Sequence, residues 1–135
     1  MQHSNDLEDI ARTVIDCGYH LHCDLGPGLL ESAYELILSN LVERRGLAVR
    51  RQVPIQINYD GVVVDNAFKI ALLVENKLLI ELKSTERNSP VYAKQVLTYL
   101  RLMDLPLGLL INFGQPTFKG GLQRVANKYF GPVQS

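Results

Sequence analysis

A chain of 135 residues with 47% hydrophobic and 21% charged side chains suits one folded domain spanning 1–135 and leaves no room for a second core. No apolar run approaches the roughly 20 residues of a membrane span, and Met1 to Asp6 carry neither a basic start nor an apolar stretch of the kind that directs secretion. A soluble cytoplasmic protein is therefore expected. Fourteen Lys and Arg balance fourteen Asp and Glu, which argues against indiscriminate coating of nucleic acid. The balance hides a gradient: residues 1–46 hold three basic against eight acidic side chains, and residues 81–135 hold seven against three. A local basic surface fits that gradient, as does solvated charge spread over all faces.

The spacing of Leu7, Ile10, Ala11, Val14, Gly18, Leu21, His22 and Leu25 predicts an amphipathic helix over 6–25. Its two cysteines, Cys17 and Cys23, point to different sides, so two reduced thiols are expected. Gly26-Pro27-Gly28 breaks that helix. A second one follows, with Leu30, Ala33, Tyr34, Ile37, Leu38 and Leu41 on its apolar face and Gly46 as its stop. From Leu47 the period changes to two. Val53, Ile55 and Ile57 alternate with polar residues up to a turn at Asp60-Gly61, after which Val62 to Val64 complete a hairpin. Phe68–Val74 and Leu78–Lys83 read as two further strands joined by a tight turn at Glu75-Asn76-Lys77.

Ser89-Pro90 supplies an N-cap and a first-turn proline for a helix over 90–103, whose stripe is Tyr92, Val96, Tyr99 and Met103. Leu107 to Phe113 is apolar almost throughout and predicts a buried central strand. A short strand around Gly121 to Ala126 closes the chain. The order α-α-β-β-β-α-β-(β) implies an α/β fold built on a mixed sheet with flanking helices.

In Leu78-Leu79-Ile80-Glu81-Leu82-Lys83, alternation puts Leu78, Ile80 and Leu82 on one face and Glu81 with Lys83 on the other. A carboxylate and an ammonium sharing one face can serve phosphodiester hydrolysis, the first by holding a hard cation, the second by orienting water or offsetting phosphate charge. A plain ion pair near a strand end explains the same two residues. Gln95 and Tyr99 lie four apart on the following helix, Gln95 within an otherwise apolar stripe, where its amide needs a partner and could bond backbone instead. Glu31 stands in the first turn of the second helix, a position favoured by the helix dipole in any protein. The helical wheel nevertheless puts it on the flank of the core-facing arc, with Tyr34 on that side. If 75–77 form a three-residue turn, Val74 stands opposite Leu78 and Ala71 opposite Glu81, so a methyl group faces the carboxylate where an aspartate could share a metal; a two-residue turn would shift the pairing and break this geometry. Asp65, six residues away or about 20 Å along an extended strand, is too distant to compensate.

Other candidates are weaker. Cys17, His20 and Cys23 do not converge on one helix face for zinc, and His22 reads as a satisfied, partly buried histidine beside the glycine turn. Arg50 and Arg51, and Arg87, Lys94 and Arg101 beside the Glu81 strand, could follow a phosphate backbone without reading bases.

Gly28-Leu29-Leu30-Glu31-Ser32-Ala33-Tyr34 resembles the motif of the GxxExxY proteins, a bacterial branch of the PD-(D/E)xK nuclease superfamily. The likeness runs from about residue 22 to 127. It implies a restriction-endonuclease-like fold, a Mg²⁺ (or Mn²⁺) site with Glu31 and Glu81 as ligands, Lys83 as catalytic lysine, and Gln95 and Tyr99 as the QxxxY pair of RecB-like nucleases. Gly28 and Tyr34 would be structural or substrate-positioning residues. The family's metal-binding aspartate falls on Ala71, which implies weakened metal affinity and an inactive or impaired enzyme. Retention of every other element around one vacancy reads as a substitution that traps an inactive form, against natural loss. The expected partners are DNA, contacted mainly through its backbone, and a second copy in a homodimer, with no membrane. A noncatalytic nucleic-acid-binding or partner-binding module on the same fold is the alternative, and RNA is the lesser alternative substrate.

Overall fold

The computed structural model describes residues 6–131. Helices α1 (Leu7–Leu25) and α2 (Glu31–Arg44) precede strands β1 (Val49–Tyr59), β2 (Val62–Val74) and β3 (Leu78–Lys83). Then come α3 (Pro90–Met103), β4 (Leu107–Asn112), the single turn α4 (Phe118–Gly121) and β5 (Leu122–Ala126). The strands form one sheet in sequence order. All neighbours are antiparallel except β3 and β4, which the α3 crossover makes parallel. This mixed five-stranded sheet with helices on both faces is the architecture expected of a restriction-endonuclease-like fold. No helix among the described residues is long and apolar enough to cross a membrane.

Helices α1 and α2 cover one face, over Leu72, Val74, Leu78, Ile80, Leu82, Leu109 and Ile111. Helix α3 covers the other, where Val96 and Leu100 pack on Leu73, Leu79 and Leu110. Its approach is close enough that a Cβ on Gly108 of β4 would come within 2.9 Å of a Val96 methyl carbon. Each fully buried aliphatic side chain in these layers contributes roughly 1.5–3 kcal/mol of hydrophobic stabilisation. The Ser89 hydroxyl accepts from the Val91 N–H with Pro90 at the first helical position, as the sequence predicts for the start of α3.

Four expectations change. Leu25 and Leu30 are 52% and 77% exposed, and α2 turns Tyr34, Glu35, Leu38, Ser39 and Val42 inward instead. The cause is Tyr34, whose ring stacks on Phe113 at 4.4 Å and whose hydroxyl is tied to the loop before the helix. Val62–Val64 and Phe68–Val74 are one 13-residue strand with a register shift against β1 between Ile55 and Ile57, absorbed where Asn66 takes φ 55°. Gln95 is exposed, because the inward line of α3 passes through Val96 and Leu100. The turn at 75–77 behaves as predicted, with Val74 opposite Leu78.

Candidate active site at the fork of the sheet

Strand β2 pairs with β3 over three residues only, Leu72 with Ile80, Leu73 with Leu79 and Val74 with Leu78. Beyond Ile80, β3 continues through Glu81, Leu82 and Lys83 with β4 as its sole strand partner among the described residues. Ala71 and Glu81 are the residues just past the last ladder pair, where the two strands part. The hairpin also exchanges faces there. Val49 and Val74 pack toward α1 and α2, whereas Val53 and Ile70, one step past the crossing, pack toward α3. Between these pairs stand Ala71 and Gln52, the latter at φ 50°, a left-handed conformation unusual for a non-glycine strand residue. Ala71 is 5% exposed and its methyl joins the α1–α2 cluster.

Glu81 sits in the mouth of this fork with its side chain 12% exposed. Burial pushes its carboxyl up to about 6 from an ordinary 4.5, opposed by the Lys83 ammonium and reinforced by the charges of Glu31 and Glu35. Those two carboxylates lie one turn apart on α2. Tyr99 of α3, half-buried and stacked on Phe68 at 4.1 Å, is raised by burial and by the Glu81 charge. The Glu81 carboxylate is therefore within electrostatic reach of helices on both sides of the sheet.

The Lys83 Nζ stands 3.8 Å from the nearer Glu81 oxygen and 4.8 Å from the centre of the Tyr92 ring. It is held by charge and by the aromatic face, yet remains free to donate. A tight, bidentate ion pair of the kind that would serve structure alone is not what this geometry forms.

The loop after β3 is locked by Asn112, the last residue of β4 and 1% exposed. Its Oδ1 accepts from the Thr85 and Gly114 N–H groups, and its Nδ2 donates to Thr85 Oγ1 and Asn88 Oδ1. On the other side the Tyr34 hydroxyl donates to the Gly26 carbonyl and accepts from the Leu29 N–H, and Ser84 Oγ donates to the Leu29 carbonyl. Gly28, at φ 118°, supplies a backbone turn that a side chain would strain. Loops 26–30 and 84–86 thus enclose a cleft of about 510 Å³ that has Glu31 on its wall.

The expected site residues divide into two groups. Lys83 stands 3.8 Å from Glu81, and the charges of Glu31 and Glu81 reach Glu81 and Tyr99 respectively, while Glu31 itself is exposed and the Ala71 methyl packs in the α1–α2 cluster; Tyr34 and Gly28 shape the cleft. Gln95 lies on exposed helix surface with its amide in solvent. Of the basic residues, Arg50, Arg87 and Lys94 are exposed. Arg51 is engaged by Glu35 at 3.0 Å, with Gln52 as second donor to that carboxylate. Arg101 lines a different cleft with Asp104, Pro106 and Lys128 at the start of β4, the opposite end from Lys83, because α3 runs back along the parallel strands. It is not beside the Glu81 strand end as expected. His22 is buried and its Nε2 meets the Gln115 carbonyl at 2.8 Å, the satisfied histidine anticipated.

Two residues were missed. Glu35 was signalled by its four-residue spacing from Glu31, and Asn112 by being the one polar residue in an apolar strand. A hard cation accepts one or two carboxylates and fills its remaining positions with water, and Glu31 and Glu81 are the carboxylates that could hold one. Among the described residues no three His, Cys, Asp or Glu side chains are grouped to hold a metal.

Against known protein families, residues 8–125 match the PD-(D/E)XK nuclease superfamily. No curated protein and no solved structure matches the chain.

Proposed function

The chain belongs to the PD-(D/E)XK nuclease superfamily, and from that premise we propose that it is a Mg²⁺-dependent DNA nuclease of the GxxExxY branch, impaired by Ala71. What supports this is a buried Glu81 with the Lys83 ammonium 3.8 Å away and the Glu31 charge within reach, at the point of β3 where its pairing with β2 ends. Nucleases of this superfamily generally use divalent metals, and here Glu31 and Glu81 would hold the cation, which when bound supplies Lewis-acid activation of the phosphodiester. Glu81 suits that role because burial and two like charges leave its carboxylate short of a counter-charge.

Lys83 keeps its ammonium over the Tyr92 ring and 3.8 Å from Glu81, placed to orient a water or to offset charge on the phosphate. Tyr99 borders Glu81 from α3 and helps to exclude bulk water from its far side. Asn112 fixes the loop after Lys83, so that Thr85 and Glu86 keep their places on the cleft wall. Arg87 and Lys94, exposed near the start of α3, would follow the DNA backbone. Arg51 is given instead the task of neutralising the buried Glu35.

The test is Ala71→Asp. With Mg²⁺ or Mn²⁺ it should cut DNA that the parent chain leaves intact or cuts at least about 100-fold more slowly. Lack of cutting of every DNA form with either metal, despite a folded variant, counts against the nuclease reading. It favours the noncatalytic binding module.

A further inference from the structure

Strands β1 and β2 lose their alternation together. On a regular strand residues four apart share a face, yet Val49 packs in the α1–α2 cluster and Val53 in the α3 cluster, and Val74 and Ile70 divide in the same way. Arg51 pairs with Leu72 and Val53 with Ile70, so Gln52 and Ala71 stand opposite one another at the crossing. Continued alternation from Leu73 would put residue 71 with it on the α3 face. Instead the Ala71 methyl joins Leu72 in the α1–α2 cluster.

Of the two residues at the crossing only Gln52 has a positive φ, at 50°. Glycine, asparagine and aspartate take that conformation readily, and a glutamine in a strand has no local reason to do so. Tertiary bonds hold it there. Gln52 Nε2 donates to Glu35 Oε1, and Arg51 Nη2 from the preceding residue donates to Glu35 Oε2. Glu35 is 5% exposed on α2, so a buried carboxylate fixes two successive residues of β1 from the side to which residue 71 is turned. The same helix carries Glu31, one turn before Glu35, and the charges of both reach Glu81.

Resting on the nuclease proposal, we infer that Gln52 is a positioning residue of the fork site: its left-handed backbone, anchored on Glu35, turns position 71 toward α2. An aspartate there is then offered on the side of the α2 carboxylates and not against the apolar α3 cluster. Gln52 acts only through residue 71 and takes no part in the bond-breaking step.

The experiment is a double-mutant cycle on positions 52 and 71 of the full chain, read as the dissociation constant for Mn²⁺ alone from the electron paramagnetic resonance signal of the free ion. Gln52→Gly and Gln52→Val both delete the bond to Glu35, so the difference between them isolates the backbone: glycine accepts a positive φ and valine resists it. In an Ala71→Asp chain, Gln52→Val should bind Mn²⁺ at least about tenfold more weakly than Gln52→Gly, the usual scale for residues that orient a metal ligand. With alanine at 71 the same two variants should bind Mn²⁺ equally, since there is no carboxylate to aim. Gln52→Thr, β-branched but polar at this exposed position, repeats the comparison should the valine chain fail to fold. Equal affinity of the glycine and valine variants in the Ala71→Asp chain overturns the inference. So does the same difference between them with alanine at 71, which would mark a purely structural role, and so does an Ala71→Asp chain that binds Mn²⁺ no better than the parent. The nuclease reading fails separately, and only if Ala71→Asp also cuts no form of DNA.

Discussion

The two halves of β3 are neighbours in sequence and opposites in environment. Leu78, Leu79 and Ile80 are hydrogen-bonded to strands on both sides and covered on both faces. Glu81, Leu82 and Lys83 have β4 on one side and, on the other, the opening left by β2. The first half is ordinary sheet interior. The second gives up one ladder so that a carboxylate and an ammonium can stand at an edge that is shielded from bulk water yet reachable by a ligand. If the proposed site is right, stability and chemistry are divided at the Ile80–Glu81 bond, and substitutions on its two sides should have opposite signatures.

The largest expected effect lies on the chemical side. In an Ala71→Asp chain, Glu81→Gln or Lys83→Met should lower DNA cleavage about 10²–10³-fold with little change in the circular dichroism spectrum, measured as initial rates with Mg²⁺. Rates within a factor of a few of the Ala71→Asp parent would remove both residues from the site.

Next comes the interior side. Ile80 is 0% exposed, and Ile80→Ala should cost about 2–5 kcal/mol in a denaturant titration. A loss near zero would mean that the first half of the strand is not the packed interior described.

Third, Glu81→Gln should stabilise the fold, with a sign set by linkage. The Glu81 carboxyl is raised from 4.5 to about 6, so the folded state holds the proton more firmly than the unfolded chain. That stability is complete below pH 4.5, declines as pH rises, and is lost above about pH 6. In metal-free buffer at pH 7–8 the glutamine variant should be more stable than the parent by about 2 kcal/mol, and the gap should close toward pH 4.5. A gap that widens on acidification would contradict the burial of this carboxylate.

The smallest effect is at Glu35. Arg51→Ala should cost about 1–2 kcal/mol by thermal melting, because Gln52 still donates to the carboxylate and the guanidinium is itself partly exposed. A change in DNA affinity instead of stability would return Arg51 to the nucleic-acid surface.

Much of this was legible beforehand where the determinants are local. The periodicity of α1, the Ser89-Pro90 start of α3 and the turn at 75–77 with its Val74–Leu78 register are set by nearest neighbours, and all were read in advance. So was the shared face of Glu81 and Lys83, since strand alternation needs no partner to be known. Where the contacts were distant the sequence misled. Leu30 and Leu25 looked like core, Gln95 looked buried, and Arg101 looked close to the site.

What the amino-acid sequence determined by itself was which side chains are offered together: the Glu-x-Lys pair, the helical Glu31, the methyl at 71 and the glycine turn. Only the tertiary structure decided where each of them stands. The inward rotation of α2 about Tyr34 and the closing of the 84–88 loop by Asn112 depend on residues 79 and 27 positions apart along the chain. No local pattern encodes such encounters, because they are fixed by how faces pack once the sheet has formed.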